Sequence, residues 1–442
     1  MSIFKACDIR GEYGTELTEG LAERLGQVVG TRLRGGTVVV GGDVRLSTPV
    51  LKAALIEGLC SSGCQVLDVG IVPTPALYYA KRKLGAEASA MVTASHNPAP
   101  DNGFKLMLGD RPPTEDELLE IEREMALGAF ACGAGSVERV DILPDYETLL
   151  VQRFQPGGSL HLVLDCGNGC YSAVAPGVLQ RLGYRVEPLF CEADGRFPNR
   201  SPNPAVAANL NTLRERVNAA GADLGLAFDG DGDRVAFVDS RGRPAESDRV
   251  AVLLARHLLR ESPGEVIYDI KSSSLLAEAV QTAGGTPVME RSGHSFIKTA
   301  LLDRDAVFGA EISGHFFFRE VGGDDALYAA CLLLQILQAE GRPLAELLDA
   351  LPRYPITPDI RLPCPPEQAD RILKALAAAF AGCPVSRLDG VRIDFGDGWA
   401  LARRSVTEPL LTLRFEAHSE ARLAEIQQTV RGRVPMLLDI WL

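Results

Sequence analysis

The chain has 442 residues, 46% of them hydrophobic and 23% charged, which is typical of a globular protein with roughly two to four domains. Its 58 acidic residues outnumber its 45 basic residues, and the net charge is −13 at pH 7. This excess of negative charge argues against nucleic acid and anionic membranes as partners, because both attract basic surfaces.

The chain begins with MSIFKACDIR, in which charged residues stand where a signal peptide has its apolar core. Apolar runs such as the one around Cys331 are too short to cross a bilayer. The ten cysteines are scattered and include no CxxC pair, which is typical of reduced thiols. We therefore expect a cytoplasmic protein.

One strand–helix–strand pattern recurs three times along the chain. The paired strands are predicted at Thr37–Asp43 and Gly63–Gly70, Leu160–Gly169 and Tyr184–Phe190, and Glu265–Ser273 and Thr286–Glu290. In each unit the helix between the strands ends at a glycine, as expected of a helix C-terminus. Such units imply parallel strands with right-handed crossovers. Their spacing of roughly one hundred residues predicts three similar mixed α/β domains.

The last part of the chain has a different order of elements. Arg371–Gly382 is amphipathic and helical, two alternating strand-like stretches follow, and a second helix closes the chain. This order predicts a smaller C-terminal α+β domain. The proline-rich segment Pro352–Glu367 is interpreted as a linker. The predicted domain boundaries are 1–142, 143–243, 244–354 and 355–442.

The serine loop, TASHNP at 93–98, follows a predicted strand. Serine is a poor nucleophile unless a base or a metal activates it, and His96 and Lys105 are candidates to assist Ser95. The alternative is purely structural, since a serine turn before an Asn-Pro breaker has the same sequence.

The aspartate loop, 229–234, reads DGDGDR between two strand-like runs and places Asp229, Asp231 and Asp233 at alternate positions. The three carboxylates can converge on a cation, and the glycines let the backbone turn around it. An EF-hand does not fit, because Arg234 stands at its sixth position and Ser240 at its twelfth. Three protein oxygens leave room for a phosphate oxygen, which suits Mg²⁺. An exposed acidic hairpin turn is the alternative.

The third constellation has two pieces, RSGHSFIK at 291–298 and the sugar loop, AEISGH at 310–315, which places Glu311, Ser313 and His315 at alternate positions. In an extended segment these side chains would point one way and offer hydrogen bonds to a polyol such as a sugar. A surface strand end would look similar.

The phosphate loop, ARRSVTEP at 402–409, combines the guanidinium fork of Arg403 with the hydroxyls of Ser405 and Thr407. This combination suits a phosphate group, and an ordinary edge strand is the alternative.

Together, the four loops indicate phosphoryl transfer on a phosphosugar, a reaction that depends on positioning and charge neutralisation.

The motifs FKACDIRG, TASHNP, DGDGDR, GHS, EISGH and RRSVTEP occur in this order along nearly the whole chain. With them the sequence resembles the α-D-phosphohexomutases, and most closely their bacterial phosphomannomutase/phosphoglucomutase branch. The resemblance implies four domains around a central cleft where the loops meet. It implies reversible interconversion of hexose 1-phosphate and hexose 6-phosphate, of mannose, glucose or both. A phosphoserine enzyme, a 1,6-bisphosphate intermediate, Mg²⁺ and glucose or mannose 1,6-bisphosphate as activator are implied as well.

The resemblance also assigns roles to individual residues. Ser95 would carry the phosphoryl group and would join Asp229, Asp231 and Asp233 as a metal ligand. Acid–base work and charge neutralisation would involve residues of the cleft: Arg10, His96, Lys105, Arg234, His294 and His315. Substrate contacts would come from Lys271, from Glu311 and Ser313 to the sugar hydroxyls, and from Arg403, Ser405 and Thr407 to the phosphate that does not react.

Three positions depart from the family pattern. Cys7 stands where a tyrosine usually precedes DIRG, Ala310 replaces a glycine, and Val406 occupies a position often held by asparagine. The change at Val406 implies that one phosphate contact is lost or replaced. The change at Cys7 implies different packing beside the nucleophile.

The choice of sugar is open to more than one interpretation. Mannose and glucose differ only at C2, which contacts to O3 and O4 do not detect, so we expect dual specificity. EISGH also fits phosphoglucosamine mutases, although that branch typically has FGTDGIRG in place of FKACDIRG.

Two other classes of function are alternatives. A DxD-type sugar phosphatase would use Asp229 as its nucleophile and would not need Ser95. A non-catalytic ion- or sugar-binding protein would bind without turnover.

Overall fold

The computed structural model describes residues 2–404, 409–438 and 440–441. Within these ranges the strands form four sheets that follow one another along the sequence. No helix there combines the length and the apolar character needed to cross a membrane.

The first sheet contains the strand that leads to the serine loop. Its elements are β1 Ile9–Glu12, α1 Glu19–Leu33, β2 Thr37–Gly42, α2 Thr48–Ser61, β3 Gln65–Ile71, α3 Thr74–Lys83, β4 Ala88–Val92, β5 Asp101–Leu108, α4 Glu115–Leu127 and β6 Ser136–Arg139. The strand order is β1-β5-β4-β2-β3-β6. β2 is parallel to β3 and β4, whereas β5 is antiparallel to β4. The short connection 93–100 permits only antiparallel pairing of β4 and β5, so Ser95 lies at one edge of the sheet.

The second sheet contains the aspartate loop. Its elements are α5 Leu143–Arg153, β7 His161–Asp165, α6 Ala175–Arg181, β8 Arg185–Leu189, α7 Asn211–Ala220, β9 Leu224–Phe228 and β10 Val235–Asp239, with short 3₁₀ turns at Cys170–Ala173 and Ala207–Leu210. The strand order is β10-β9-β7-β8. β9 and β10 form an antiparallel hairpin whose connection is the aspartate loop. Both strands are buried for nearly their whole length, as the apolar flanks predict.

The third sheet contains the sugar loop. Its elements are α8 Ser247–Glu261, β11 Glu265–Asp269, α9 Ser274–Thr282, β12 Thr286–Glu290, α10 His294–Asp303, β13 Phe308–Ala310, β14 Phe316–Phe318, β15 Gly323–Asp324, α11 Ala326–Glu340 and α12 Leu344–Asp349. The strand order is β12-β11-β13-β14-β15. The expectation that Glu311–His315 is extended is wrong. The N–H of Gly314 donates to the carbonyl of Glu311 at 3.0 Å, and the positive φ of Gly314, +94°, closes a turn between β13 and β14.

The fourth sheet is antiparallel throughout and lies in the C-terminal part of the chain. Its elements are β16 Ile360–Pro363, α13 Pro366–Ala379, β17 Val385–Ser386, β18 Val391–Asp394, β19 Gly398–Arg404, β20 Leu410–Ala417 and α14 Glu420–Arg433, followed by a 3₁₀ turn at Pro435–Leu437. The strand order is β16-β20-β19-β18-β17. The interpretation of Pro352–Glu367 as a linker is wrong in its second half, because β16 pairs there with β20. Pro363 ends an edge strand and Pro366 begins a helix, two positions that do not need the missing N–H.

The three predicted strand–helix–strand repeats are confirmed. β2 is parallel to β3, β7 to β8, and β11 to β12. A glycine with positive φ follows the helix in each unit: Gly63 at +89°, Gly183 at +88° and Gly284 at +80°. This conformation strains other residues, which explains why glycine marks the helix ends in the sequence.

One hydrophobic core joins the first three sheets, with members such as Met91, Phe228 and Phe316. The fourth sheet packs around a core of its own that includes Leu411 and Phe415. The serine, aspartate and sugar loops are therefore held by one continuous packed body.

Candidate active site

Ser95 and Asp229 form the centre of the site. Ser95 is fully buried, its Oγ donates to Asp229 Oδ2 at 2.8 Å, and its backbone N–H donates to Thr93 Oγ1 at 2.8 Å. The φ of Ser95 is +51°, a conformation that costs a residue other than glycine about 1–3 kcal/mol. The surrounding contacts must therefore hold the serine loop in place.

Arg45 supplies four of those contacts. Its guanidinium donates to four backbone carbonyls around the serine loop, those of Ser95 at 2.8 Å, Asn97 at 2.7 Å, Pro98 at 2.5 Å and Asp101 at 2.8 Å. Arg45 also pairs at 3.0 Å with Asp43, and both side chains are fully buried. Sequence reasoning missed this pair. The sequence offers one indication of the pair: Asp43 and Arg45 stand two positions apart in GGDVR, at the end of a predicted buried strand.

The three aspartates of the aspartate loop converge. One oxygen from each of Asp229, Asp231 and Asp233 lies within 4.8 Å of the others, and all three residues are fully buried. Lys105 bridges Asp231 and Asp233, with its Nζ 2.7 Å from Asp231 Oδ2. Thr74, which sequence reasoning also missed, donates from its Oγ1 to Asp231 Oδ2 at 2.7 Å.

The pKa of Asp229 is shifted in the opposite direction to the pKa values of Asp231 and Asp233. Burial and the carboxylates of Asp233 and Asp231 raise the pKa of Asp229 well above its usual range. Burial opposes ionisation of Asp233 too, but Lys105 and His315 hold the pKa of Asp233 well below its usual range. Burial and Asp233 likewise oppose ionisation of Asp231, and Lys105 outweighs them, so the pKa of Asp231 is lowered. Asp229 is therefore the carboxylate of the cluster whose negative charge is least compensated, and a cation bound beside it would stabilise its ionised form.

The residues present fit a hard divalent cation. Asp231 Oδ1 is buried and has no hydrogen-bond partner among the described residues, which is costly for a carboxylate oxygen unless a cation meets it. The donors are three carboxylates and the Ser95 hydroxyl, the oxygen ligands that Mg²⁺ prefers. A second set with ligand atoms within 4.8 Å is Asp233, His315 and Asp324. Its carboxylates already have cationic neighbours in Lys105 and Lys298.

His315 links the sugar loop to the aspartate loop. Its Nε2 lies 3.2 Å from Asp233 Oδ1, and its Nδ1 lies 3.3 Å from Glu311 Oε2 and 2.9 Å from Ser313 Oγ. Arg234 Nε is 3.3 Å from His315 Nε2. Burial opposes the charged imidazole, but Asp233 outweighs it and the pKa of His315 is raised to about 9. Burial also opposes ionisation of Glu311, but the hydrogen bond from His315 outweighs it and lowers the pKa of Glu311 to about 2.

A buried ion pair lies behind His315. Asp324 Oδ2 is 4.0 Å from His315 Nε2, and Asp324 Oδ1 is 3.4 Å from Lys298 Nζ. Burial lowers the pKa of Lys298 to about 8 although Asp324 raises it. Sequence reasoning gave neither residue a role, although Lys298 ends the singled-out stretch RSGHSFIK.

The remaining predicted cleft residues surround Ser95. His96 Nδ1 lies 3.2 Å from Ser95 Oγ, and burial together with Arg234 and Arg10 lowers the pKa of His96 well below its usual value. Arg10 pairs with Asp8 at 2.6 Å and donates to Asn97 Oδ1 at 3.1 Å.

His294 is the last of these cleft residues. Its Nε2 lies 3.5 Å from Asp8 Oδ2, and its ring stacks on that of His315 with 5.8 Å between centroids. Cys7, one of the departures from the family pattern, lies against this helix start, where Ser295 Oγ donates to its carbonyl at 3.0 Å. Burial raises the pKa of the Cys7 thiol to about 12.

Lys271 and Arg403 have other partners. Lys271 Nζ lies 3.7 Å from Asp359 Oδ2, and Arg403 Nη2 lies 2.9 Å from Asp389 Oδ2. Ser405, Val406 and Thr407 lie outside the described residues. The described part of the phosphate loop thus presents two arginines, and each guanidinium is paired with a carboxylate: Arg403 with Asp389, and Arg404 with Asp370 at 3.4 Å.

The chain matches four models of one family. They are the phosphoglucomutase/phosphomannomutase α/β/α domains I, II and III, at residues 1–131, 145–242 and 246–354, and the C-terminal domain, at residues 360–433. These matches confirm the predicted fold class of three mixed α/β domains and a C-terminal α+β domain.

Whole-chain comparisons agree with the family models. A phosphomannomutase/phosphoglucomutase from Pseudomonas aeruginosa is 41% identical over 441 residues, covering 98% of this chain and 95% of the relative. A phosphoglucomutase from Neisseria gonorrhoeae is 39% identical over 442 residues, covering 97% and 96%. The crystal structure of a phosphoglucomutase/phosphomannomutase family protein from Burkholderia thailandensis superimposes with a TM-score of 0.92 at 38% identity, covering 98% and 96%.

Proposed function

The chain belongs to the phosphoglucomutase/phosphomannomutase family, and on this premise we propose that Ser95 carries the phosphoryl group that the enzyme transfers. The protein is a hexose phosphate mutase, an isomerase that interconverts hexose 1-phosphate and hexose 6-phosphate of mannose or glucose. The observation that carries the proposal is the 2.8 Å hydrogen bond from Ser95 Oγ to Asp229 Oδ2, within a buried cluster of carboxylates.

In the proposed cycle two phosphoryl transfers occur in opposite directions. The bond from phosphorus to Ser95 Oγ breaks while a bond forms to the oxygen of the free hydroxyl of hexose 1-phosphate, which gives a 1,6-bisphosphate. The sugar hydroxyl gives up its proton in this step, and Ser95 Oγ takes one up and becomes a hydroxyl again. The bisphosphate turns over in the cleft, and its other phosphoryl group returns to Ser95 and leaves hexose 6-phosphate. His96 is the proposed proton acceptor for the Ser95 hydroxyl in the return step, because its Nδ1 lies 3.2 Å from Ser95 Oγ.

Asp229, Asp231 and Asp233, with an oxygen of the Ser95 phosphate, would hold Mg²⁺. When bound, this ion neutralises charge on the transferring phosphoryl group and its bridging oxygens. Lys105, Arg234 and His315 add positive charge on the protein side of the same cluster. Glucose 1,6-bisphosphate or mannose 1,6-bisphosphate would restore Ser95 whenever its phosphoryl group is lost, and so would act as activator.

Substrate binding is proposed to use two ring hydroxyls of the sugar and the phosphate that does not react. Glu311 and Ser313 would bind O3 and O4, while Lys271 and the phosphate loop would bind the phosphate that does not react. Arg403 would exchange its carboxylate partner, Asp389, for that phosphate. Contacts to O3 and O4 do not detect C2, so the same site would accept mannose and glucose phosphates.

The domain division at 1–142, 143–243, 244–354 and 355–442 is part of this proposal. It is supported by the four sheets, each of which lies within one of these segments. A cytoplasmic location is proposed as well, since all ten cysteines are free thiols, the usual state in a reducing compartment.

Phosphopeptide mapping tests the role of Ser95. The protein is incubated with glucose 1,6-bisphosphate and Mg²⁺, digested, and analysed by mass spectrometry. We expect one phosphoryl group on Ser95, lost when glucose 6-phosphate is added in excess. Phosphate on Asp229, or release of inorganic phosphate without a labelled serine, would support the DxD-type phosphatase instead.

A further inference from the structure

Two cysteines with no part in the proposed cycle lie in contact at the ends of neighbouring strands. Cys166 follows β7 and Cys191 lies just after β8, and their Sγ atoms are 3.0 Å apart. The backbone N–H of Cys166 also donates to the carbonyl of Leu189 at 3.1 Å, which fixes the two strand ends against each other. A disulfide has an S–S distance of about 2.05 Å, so the sulfurs need to approach by only about 1 Å.

We propose that Cys166 and Cys191 form a reversible disulfide when the protein meets a peroxide, and that this disulfide slows the mutase. The second half of the proposal rests on the proposed role of the aspartate loop. Disulfides in reducing compartments are usually transient and sense redox state, and a pair of free thiols already in contact has the geometry for one.

The environment of the pair distinguishes the two sulfurs. Cys191 is half-buried, whereas Cys166 is fully buried, so Cys191 is the more accessible of the two residues. The hydrogen bond between the two thiols lowers the pKa of Cys191 although burial opposes this, and burial raises the pKa of Cys166. Cys191 is therefore the thiol that reacts with the oxidant, since the thiolate is the nucleophile.

The reaction balances with one hydrogen peroxide. The Cys191 thiolate attacks one peroxide oxygen, an S–O bond forms, the O–O bond breaks, and the departing hydroxide takes up a proton as water. Cys166 loses its proton and attacks the sulfur of the resulting sulfenic acid. The S–S bond forms, the S–O bond breaks, and a second water leaves, so two thiols are oxidised and one peroxide is reduced.

Two short connections link this pair to the aspartate loop. Asp165, next to Cys166, pairs at 2.8 Å with Arg200, whose guanidinium donates at 2.7 Å to the carbonyl of Phe228, the residue before Asp229. On the other side of Cys166, the backbone N–H of Cys170 donates to the carbonyl of Gly230 at 3.0 Å. Movement of Cys166 would thus shift the backbone that positions the three aspartates. A misplacement of about 1 Å can cost on the order of 100-fold in rate.

The test uses the full-length protein, reduced and then treated with hydrogen peroxide. Free thiols are alkylated under denaturing conditions, and a nonreducing digest is searched by mass spectrometry for a peptide pair joined through Cys166 and Cys191. Turnover of glucose 1-phosphate with Mg²⁺ is measured before oxidation, after it, and after addition of dithiothreitol. We expect the linked peptide, a fall in kcat of about tenfold to 100-fold, and recovery with dithiothreitol.

Matched variants separate this pair from the other thiols. Cys191→Ser and Cys191→Ala should keep their activity in peroxide, whereas Cys132→Ser, which changes an exposed cysteine, should lose activity as the wild type does. Absence of the linked peptide in the wild type would overturn the proposal, as would equal inactivation of the Cys191 variants. A linked peptide without loss of activity would overturn the regulatory role. A reduced enzyme that never phosphorylates Ser95 would instead contradict the proposed function and leave the disulfide result standing.

Discussion

Ser95 Oγ donates a 2.8 Å hydrogen bond to Asp229 Oδ2, although the two residues are 134 positions apart and follow strands of different sheets. The bond joins a hydroxyl to the carboxylate whose pKa is raised most clearly by burial and by its acidic neighbours. The serine loop and the aspartate loop therefore form one site, which neither sheet supplies alone.

Removal of divalent cations should abolish turnover and lower the thermal midpoint, because the three buried carboxylates then repel one another with less compensation. Asp231→Asn should raise the Mg²⁺ concentration for half-maximal activity by roughly tenfold or more. Titration of EDTA-treated protein with Mg²⁺ measures both effects. Asp116→Asn, at an exposed position, is the control, and an identical Mg²⁺ dependence in the two variants would exclude Asp231 as a ligand.

Arg45→Met should lower kcat by on the order of 100-fold with little change in KM, because the serine loop loses its four carbonyl contacts. It should also destabilise the protein by about 3–5 kcal/mol, since Asp43 is left buried without its partner. Steady-state kinetics and thermal unfolding measure the two effects, with Arg24→Met, at an exposed position, as control. A wild-type kcat in Arg45→Met would show that the serine loop does not depend on this residue.

Arg403→Ala should raise KM and let some bisphosphate escape, because the phosphate that does not react loses a charged hydrogen bond. Such a bond contributes about 1.5–3 kcal/mol, which corresponds to a rise in KM of roughly ten- to 100-fold. Arg404→Ala is a matched control, because Arg404 is the next residue and lies 3.4 Å from Asp370. Equal KM values for the two variants would argue against the phosphate-binding role.

Asp325→Asn should change how stability depends on pH. Asp325 accepts hydrogen bonds from Tyr146 and Tyr171 and from the backbone N–H of Tyr328, but burial outweighs them and raises its pKa from 3.8 to about 6. The folded state thus holds this proton more tightly than the unfolded state. The stabilisation is complete below about pH 4 and is lost as the pH rises through 6, a change of about 3 kcal/mol.

Thermal unfolding at pH 4 and pH 7 tests this dependence. The midpoint of Asp325→Asn relative to wild type should be higher at pH 7 than at pH 4, because the amide has no charge to bury. Asp110→Asn, on a fully exposed side chain, reports the effect of the substitution itself. The same difference at both pH values would mean that ionisation of Asp325 does not affect stability.

The regular part of the fold could be predicted because its signals are local. Apolar strands and the glycines at 63, 183 and 284 mark the repeats within short windows of sequence, and parallel pairing follows from the connection length. The aspartate loop was predictable for the same reason, since its three carboxylates and both flanking strands lie within a dozen residues.

The rest depends on contacts between distant segments. The carbonyls that Arg45 binds are 50 to 56 residues away, and no local pattern indicates them. Alternating polar residues fit a strand and a turn equally well, and in the sugar loop the positive φ of Gly314 gives a turn. Prolines at 363 and 366 are typical of a linker, although an edge strand and a helix start accept proline as readily.

A phosphorus NMR time course on wild type and Ser95→Ala tests the central claim most directly. Both proteins are given Mg²⁺, a trace of glucose 1,6-bisphosphate, and either glucose 1-phosphate or mannose 1-phosphate. The account predicts conversion of both sugars to their 6-phosphates by the wild type and none by Ser95→Ala, whose thermal midpoint should stay close to that of the wild type. Sustained conversion by a folded Ser95→Ala protein, or release of free phosphate by both proteins, would contradict it.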